Sequence, residues 1–128
     1  MQLELVVNLN LNASHSLEER ESPHPHRWEI QVGLKGVLKQ GRVVSLTWAQ
    51  EKLGLALKPL QETFLNNNNN LDSNTRSNPT CENLALFLWE RFQSEISNWD
   101  FPEVPALSFV QVGLWEQTEQ LGYARVSA

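Results

Sequence analysis

Two stretches of alternation constrain this chain more than any other feature. In residues 2–14, Leu3, Leu5, Val7, Leu9 and Leu11 alternate with Gln2, Glu4, Val6, Asn8, Asn10 and Asn12. An extended backbone therefore presents one apolar face that needs a core and one largely polar face. Residues 26–39 repeat the pattern, with Trp28, Ile30, Val32 and Leu34 set against Arg27, Glu29, Gln31 and Gly33. Two half-buried strands of this kind pair naturally as antiparallel neighbours. Pro25 has no backbone donor, which places it at the start of the second strand or on an edge and pushes His24 towards an extended conformation.

The period changes at Ser45. Leu46, Leu53, Leu57 and Leu60, with Trp48 and Ala49, predict a helix over 46–57 that ends at Pro59, with Gly54 as its weak point. Gly36 and Gly41 bracket a turn and form no phosphate loop. The asparagine run Asn66 to Asn70 lies in a polar segment reaching Asn78, all of it expected as exposed loop. Pro79-Thr80-Cys81-Glu82-Asn83 reads as a helix start, with Thr80 as cap and Glu82 at the positive end of the macrodipole. Leu84, Phe87, Leu88, Phe92 and Ile96 follow at helical spacing. Residues 107–115 and 120–127 read as two more strands joined at Gln117-Thr118-Glu119. The order β-β-α-α-β-β predicts an α+β fold, a four-stranded antiparallel sheet with two helices on one face.

A chain of 128 residues is expected to form one domain, residues 1–128, around one core. Its net charge of −5, without a basic run, argues against a nucleic-acid partner. The single cysteine, Cys81, excludes an internal disulfide, and the N-terminus carries neither a basic nor a long apolar segment. A cytoplasmic location without membrane contact is the expectation.

All three histidines, His15, His24 and His26, fall within twelve residues, and His24 and His26 share one face of an extended strand. Three neutral imidazoles without a fourth protein ligand describe a catalytic kind of zinc site, with a position left open for water or substrate. A chance His-x-His of no metal-binding role is the alternative that spacing leaves open. The intervening polar loop brings Glu18, Glu19 and Glu21 into the neighbourhood, and each of these is equally readable as a solvated acid.

Taken together, these motifs resemble the 6-pyruvoyltetrahydropterin synthase and 6-carboxytetrahydropterin synthase family of the tunnelling fold, over nearly the whole chain. His15 matches the family's first histidine, His24-Pro25-His26 its His-Gly-His, Pro79-Thr80-Cys81-Glu82-Asn83 its helix start, and Glu116, Thr118 and Tyr123 its late strands. The resemblance implies that the three histidines bind zinc and that Glu116 anchors a pterin by accepting two parallel N–H bonds. It implies that Thr80 lies where family members hold the pterin, although a plain helix cap explains that residue as well. It further implies a zinc-dependent lyase acting on dihydroneopterin triphosphate or a close relative, built as a hexamer of two trimers.

Two departures stand out. The family's cysteine base, four residues before the His-x-His pair, is replaced by Arg20, which stays protonated and cannot act as a base. The family's Asp-His pair ahead of a Leu-Asn falls on Gln61-Glu62 before Leu65-Asn66, leaving Glu62 as the one acid there. A similar subfamily places a glutamate three residues before the first histidine of the pair and cleaves the side chain to 6-hydroxymethyldihydropterin. Glu21 has that spacing, which makes it the first candidate for a general base, with Glu18 and Glu19 behind it. The alternative is an inactive paralogue that keeps zinc and a pterin or purine-like ligand, and a third reading is a purely structural oligomer.

Overall fold

The computed structural model describes residues 2–17 and 24–128. Its four strands are β1 (Gln2–His15), β2 (His24–Val37), β3 (Ala106–Glu116) and β4 (Glu119–Ser127). They form one antiparallel sheet in sequence order, β1-β2-β3-β4. The helices are α1 (Leu46–Leu57), α2 (Ser73–Ser77) and α3 (Cys81–Ser97). α1 packs against β1, and α3 packs across β3 and β4.

The alternation predicted for the first two strands holds. Val7, Leu9 and Leu11 of β1 and Trp28, Ile30, Val32 and Leu34 of β2 are buried together with Leu53 and Leu57 of α1 and Leu84, Leu88 and Phe92 of α3. Ser45 caps α1 with its hydroxyl, and Thr80 caps α3 by accepting from the Asn83 amide at 3.1 Å. None of the helices among the described residues is long and apolar enough to cross a membrane.

Four sequence expectations need correction. β2 begins and ends two residues earlier than predicted, so Gly36 lies inside the strand and the turn closes instead around Gly41, at φ 82°, between paired Lys39 and Arg42. α1 spans Leu46–Leu57 as predicted, but Leu46, counted with its apolar positions, is 49% exposed. Glu119 belongs to β4, and the turn after β3 is Gln117-Thr118, with Gln117 in the left-handed region at φ 56°.

The fourth concerns residues 66–78, which are not an exposed loop. Leu71, Asn68 and Thr75 are buried, a 3-10 turn spans Leu65–Asn67, and the short helix α2 follows. Asparagine carboxamides take the place of regular structure here. Asn68 donates to the Pro59 carbonyl and the Thr63 hydroxyl, both at 3.0 Å, and accepts from the Asn70 amide at 2.9 Å. Asp72 caps α2, and its carboxyl is held below the usual value chiefly by the Thr75 hydroxyl at 2.6 Å.

Gly33 stands at the irregularity between β2 and β3, where a Cβ would run into the Phe109 ring and the Ser108 hydroxyl. A Cβ on Gly113 would meet only the amide end of Gln120, which can swing aside. Gly33→Ala should therefore cost about 1–3 kcal/mol in urea unfolding, as overpacking does, while Gly113→Ala should stay within about 0.5 kcal/mol of the parent.

Candidate metal and ligand site

The β1–β2 register sets His15 opposite His24 and Ala13 opposite His26 at the end of the sheet. His15 continues the buried series of Leu11 and Ala13, and His26 continues that of Trp28 and Ile30, so both rings lie on the core face. The His15 and His26 ring centroids are 4.9 Å apart at 82°, and those of His24 and His26 are 6.2 Å apart. Trp28 packs its edge against His15 at 4.9 Å and donates its indole N–H to the Ala13 carbonyl at 3.2 Å. As the side chains stand, no three His, Cys, Asp or Glu among the described residues form a group closed tightly enough to hold a metal. The ring separations nevertheless leave these imidazoles as neighbours, two of them with their tautomers fixed.

That tautomer follows from the partners. Nδ1 of His15 lies 2.8 Å from the Pro79 carbonyl, and Nδ1 of His26 lies 3.3 Å from the Trp115 carbonyl. A carbonyl can only accept, so in both rings Nδ1 carries a hydrogen and, in the neutral form, Nε2 keeps the lone pair. Metal-binding histidines show this outer arrangement, a backbone acceptor fixing one nitrogen while the other faces the ion. His15 is buried and His24 is exposed at the rim.

The other expected site residues come from three different segments near this end of the sheet. Thr80 follows Pro79, whose carbonyl holds His15, and its oxygen already accepts from Asn83. Glu116 is the exposed last residue of β3, next to Trp115, whose carbonyl holds His26. Thr80 and Glu116 are thus each one residue from a carbonyl that contacts an imidazole. Glu62 lies at the β1 edge. It adopts the left-handed conformation at φ 58°, donates its amide to Asn12 at 2.7 Å, and lines a cleft of about 570 Å³. The walls of that cleft come mainly from Asn12, Ser14, Pro25, Arg27 and Trp115, which alternate away from the core, and His26 is the one histidine bordering it. Glu62 and His26 thus border the same cleft. Glu18, Glu19, Arg20 and Glu21 lie outside the described residues.

Sequence reasoning missed two features of this end of the sheet. Arg27 lies over the Trp115 ring at 4.7 Å, and the buried Trp115 Nε1 has no hydrogen-bond partner among the described residues. Neither residue has a sequence signal, because the pair forms across β2 and β3, far apart in the chain.

Comparison with known proteins points the same way as the geometry. The family model described as 6-pyruvoyl tetrahydropterin synthase matches residues 4–125. A Pyrococcus furiosus protein named dihydroneopterin monophosphate aldolase is 25% identical over 121 residues, covering 93% of this chain and 94% of its own length. Among solved structures, the 6-pyruvoyl tetrahydropterin synthase of Caenorhabditis elegans superposes with a TM-score of 0.75 at 19% identity, covering 100% of this chain and 96% of that one. The Plasmodium vivax 6-pyruvoyltetrahydropterin synthase superposes at 0.64 with 14% identity, covering 100% and 99%, in forms whose catalytic glutamate is replaced by cysteine or alanine. These structural likenesses establish the tunnelling fold.

Cys81 opens α3 beside Glu82, and burial first, the Glu82 charge second, push its thiol up to about 11. A raised value means the thiol stays protonated through neutral pH, with a thiolate fraction at pH 8 of about one in a thousand. Reaction with a disulfide reagent should therefore be slow in the native protein, rise about tenfold per pH unit up to about pH 11, and become fast at pH 8 once the chain is unfolded.

Proposed function

The chain belongs to the 6-pyruvoyl tetrahydropterin synthase family, and on that premise we propose that it is a zinc-dependent lyase cleaving the side chain of a dihydroneopterin phosphate. The observation that carries the reading is the pair of imidazoles whose Nδ1 atoms are tied to backbone carbonyls, leaving Nε2 as the donor atom on His15 and His26. His15, His24 and His26 would hold the ion. Such a set suits zinc with an open position, and when bound the metal supplies Lewis acidity to the side-chain oxygens of the substrate.

The remaining work falls to the chain's own residues. Glu116, exposed at the end of β3, accepts the N–H groups of the pyrimidine edge and orients the ring, with Thr80 beside it. Glu21 takes the proton of the 2′-hydroxyl. The C1′–C2′ bond then breaks, C2′ leaves as an aldehyde, and the electron pair stays on the pterin side, where C1′ is reprotonated. The products are 6-hydroxymethyldihydropterin and, from a monophosphate, glycolaldehyde phosphate. Support for cleavage over rearrangement comes from three sources. Arg20 stands where a cysteine base is expected, the Pyrococcus furiosus relative carries the name of an aldolase, and the Plasmodium vivax protein is described with a catalytic glutamate. Cys81 takes no part, since its raised pKa leaves little thiolate.

The reading includes assembly into a closed oligomer, a hexamer by resemblance, in the cytoplasm. Leu3 and Val6 on β1 and Leu121 and Tyr123 on β4 are exposed large apolar side chains on the two edge strands, the surfaces that strand pairing between copies would cover.

Incubation of the zinc-loaded protein with dihydroneopterin mono- and triphosphate, with chromatography of every pterin formed, tests the proposal. Glu21→Gln should lower turnover about a hundredfold to ten-thousandfold without loss of zinc, and Cys81→Ala should leave it unchanged. Loss of turnover in Cys81→Ala alone would overturn the base assignment. A protein that binds zinc and a pterin yet forms no product would instead be an inactive binding module.

A further inference from the structure

We propose that Asn66 is a positioning residue of the histidine site, its carboxamide fixing the backbone immediately after His15 and thereby setting the affinity of that site for zinc. The proposal rests on the zinc reading above and goes beyond the ligands themselves.

The segment from Gln61 to Asn66 runs along the outer edge of β1 and satisfies its last backbone groups one after another. The Gln61 side chain donates to the Asn10 carbonyl at 2.8 Å and accepts from the Asn12 amide at 3.0 Å. The Glu62 amide donates to the Asn12 carbonyl at 2.7 Å, and the Ser14 amide donates to the Thr63 carbonyl at 3.0 Å. β1 ends at His15. Beyond it Asn66 takes over, accepting from the Ser16 amide at 2.9 Å and donating to the Ser16 carbonyl at 2.8 Å. One carboxamide thus imitates both groups of a strand neighbour, which a carboxylate or a hydroxyl cannot do in this orientation.

His15 is consequently held on both sides of its Cα, by Thr63 through Ser14 and by Asn66 through Ser16, while Pro79 holds its ring. The imidazole Nε2 lies at the end of a long lever. A backbone rotation of about 10° moves it by about 1 Å, more than the roughly 0.5 Å that a coordination site tolerates. Ser16 is buried, so loss of the carboxamide also strands its amide and carbonyl away from water.

The test is zinc affinity by competition with a chromophoric chelator, together with the visible spectrum of the cobalt(II)-loaded protein, whose bands report ligand geometry. Asn66→Ala should weaken zinc binding about tenfold to a hundredfold and change the cobalt bands. Asn66→Asp keeps the acceptor for Ser16 and loses the donor, so it should fall between wild type and Asn66→Ala, and it stands in if the alanine variant fails to fold. Asp72→Ala removes the α2 cap in the same connecting region without touching residues 14–16, and should lower the metal-free melting temperature while leaving affinity and spectrum unchanged. An Asn66→Ala affinity within about twofold of wild type, or an equal loss in Asp72→Ala, overturns the proposal alone. Failure of the wild type to take up zinc overturns the metal reading and this inference with it.

Discussion

The register between β1 and β2 is the constraint on which the rest depends. Fourteen residues of β1 pair with fourteen of β2, from Gln2 opposite Val37 to His15 opposite His24. The alternation that puts Leu11 and Trp28 into the core is the same alternation that puts His15, four residues after Leu11, and His26, two residues before Trp28, on the core face. A slip of one residue would turn both apolar sets to the other face at once, and each large side chain so exposed forfeits about 1.5–3 kcal/mol. The choice of face for the histidines therefore needs no stabilisation of its own. It is fixed by a core that could not tolerate another register, and the indole of Trp28, bonded to the carbonyl of Ala13, locks the two strands together where the imidazoles begin.

A sheet end is normally the loosest part of a small α+β domain, because strand pairing stops there and loops begin. Here the connection between α1 and α3 is folded back to brace it. Asn68 holds Pro59 and Thr63 in place, residues 61–66 then line the edge of β1, and Asn66 reaches past the last paired residue. The asparagines supply backbone-like donors and acceptors where an irregular chain cannot form a regular ladder. A buried polar network of this sort stabilises little in net terms but penalises every alternative in which a group goes unpaired, which favours a single arrangement around His15.

What the sequence made legible follows from the range of the interactions involved. Strand faces, the Thr80 cap and the spacing of Leu84, Leu88 and Phe92 are local patterns, and the structure reproduces them. The histidine window was legible for the same reason, since β1 and β2 are joined by a short connection and their pairing is the expected one. The asparagine run misled because its composition is that of a loop, while the carboxamide of Asn66 acts on Ser16, 50 positions away, and that of Asn68 ties the segment to Pro59 and Thr63. The surroundings of Glu62 were not legible, because its left-handed backbone and the bond from its amide to the Asn12 carbonyl, which set it in the cleft beside His26, are contacts between distant parts of the chain.

The start of α3 draws these strands of argument to one point. The Thr80 carbonyl is already taken into the helix, accepting from the Leu84 amide at 2.9 Å, so Pro79 is the last residue whose carbonyl stands outside the helical ladder. That carbonyl is the one that holds Nδ1 of His15. Were the helix to begin one residue earlier, the acceptor would be consumed, and the proline that precedes Thr80 opposes such an extension by restricting the chain around it. The point at which the helix starts thus also fixes the tautomer of an imidazole on another element. Helix capping and tautomer are in this way set by two consecutive residues, Pro79 and Thr80, and any displacement of α3 along its axis would be felt first at His15.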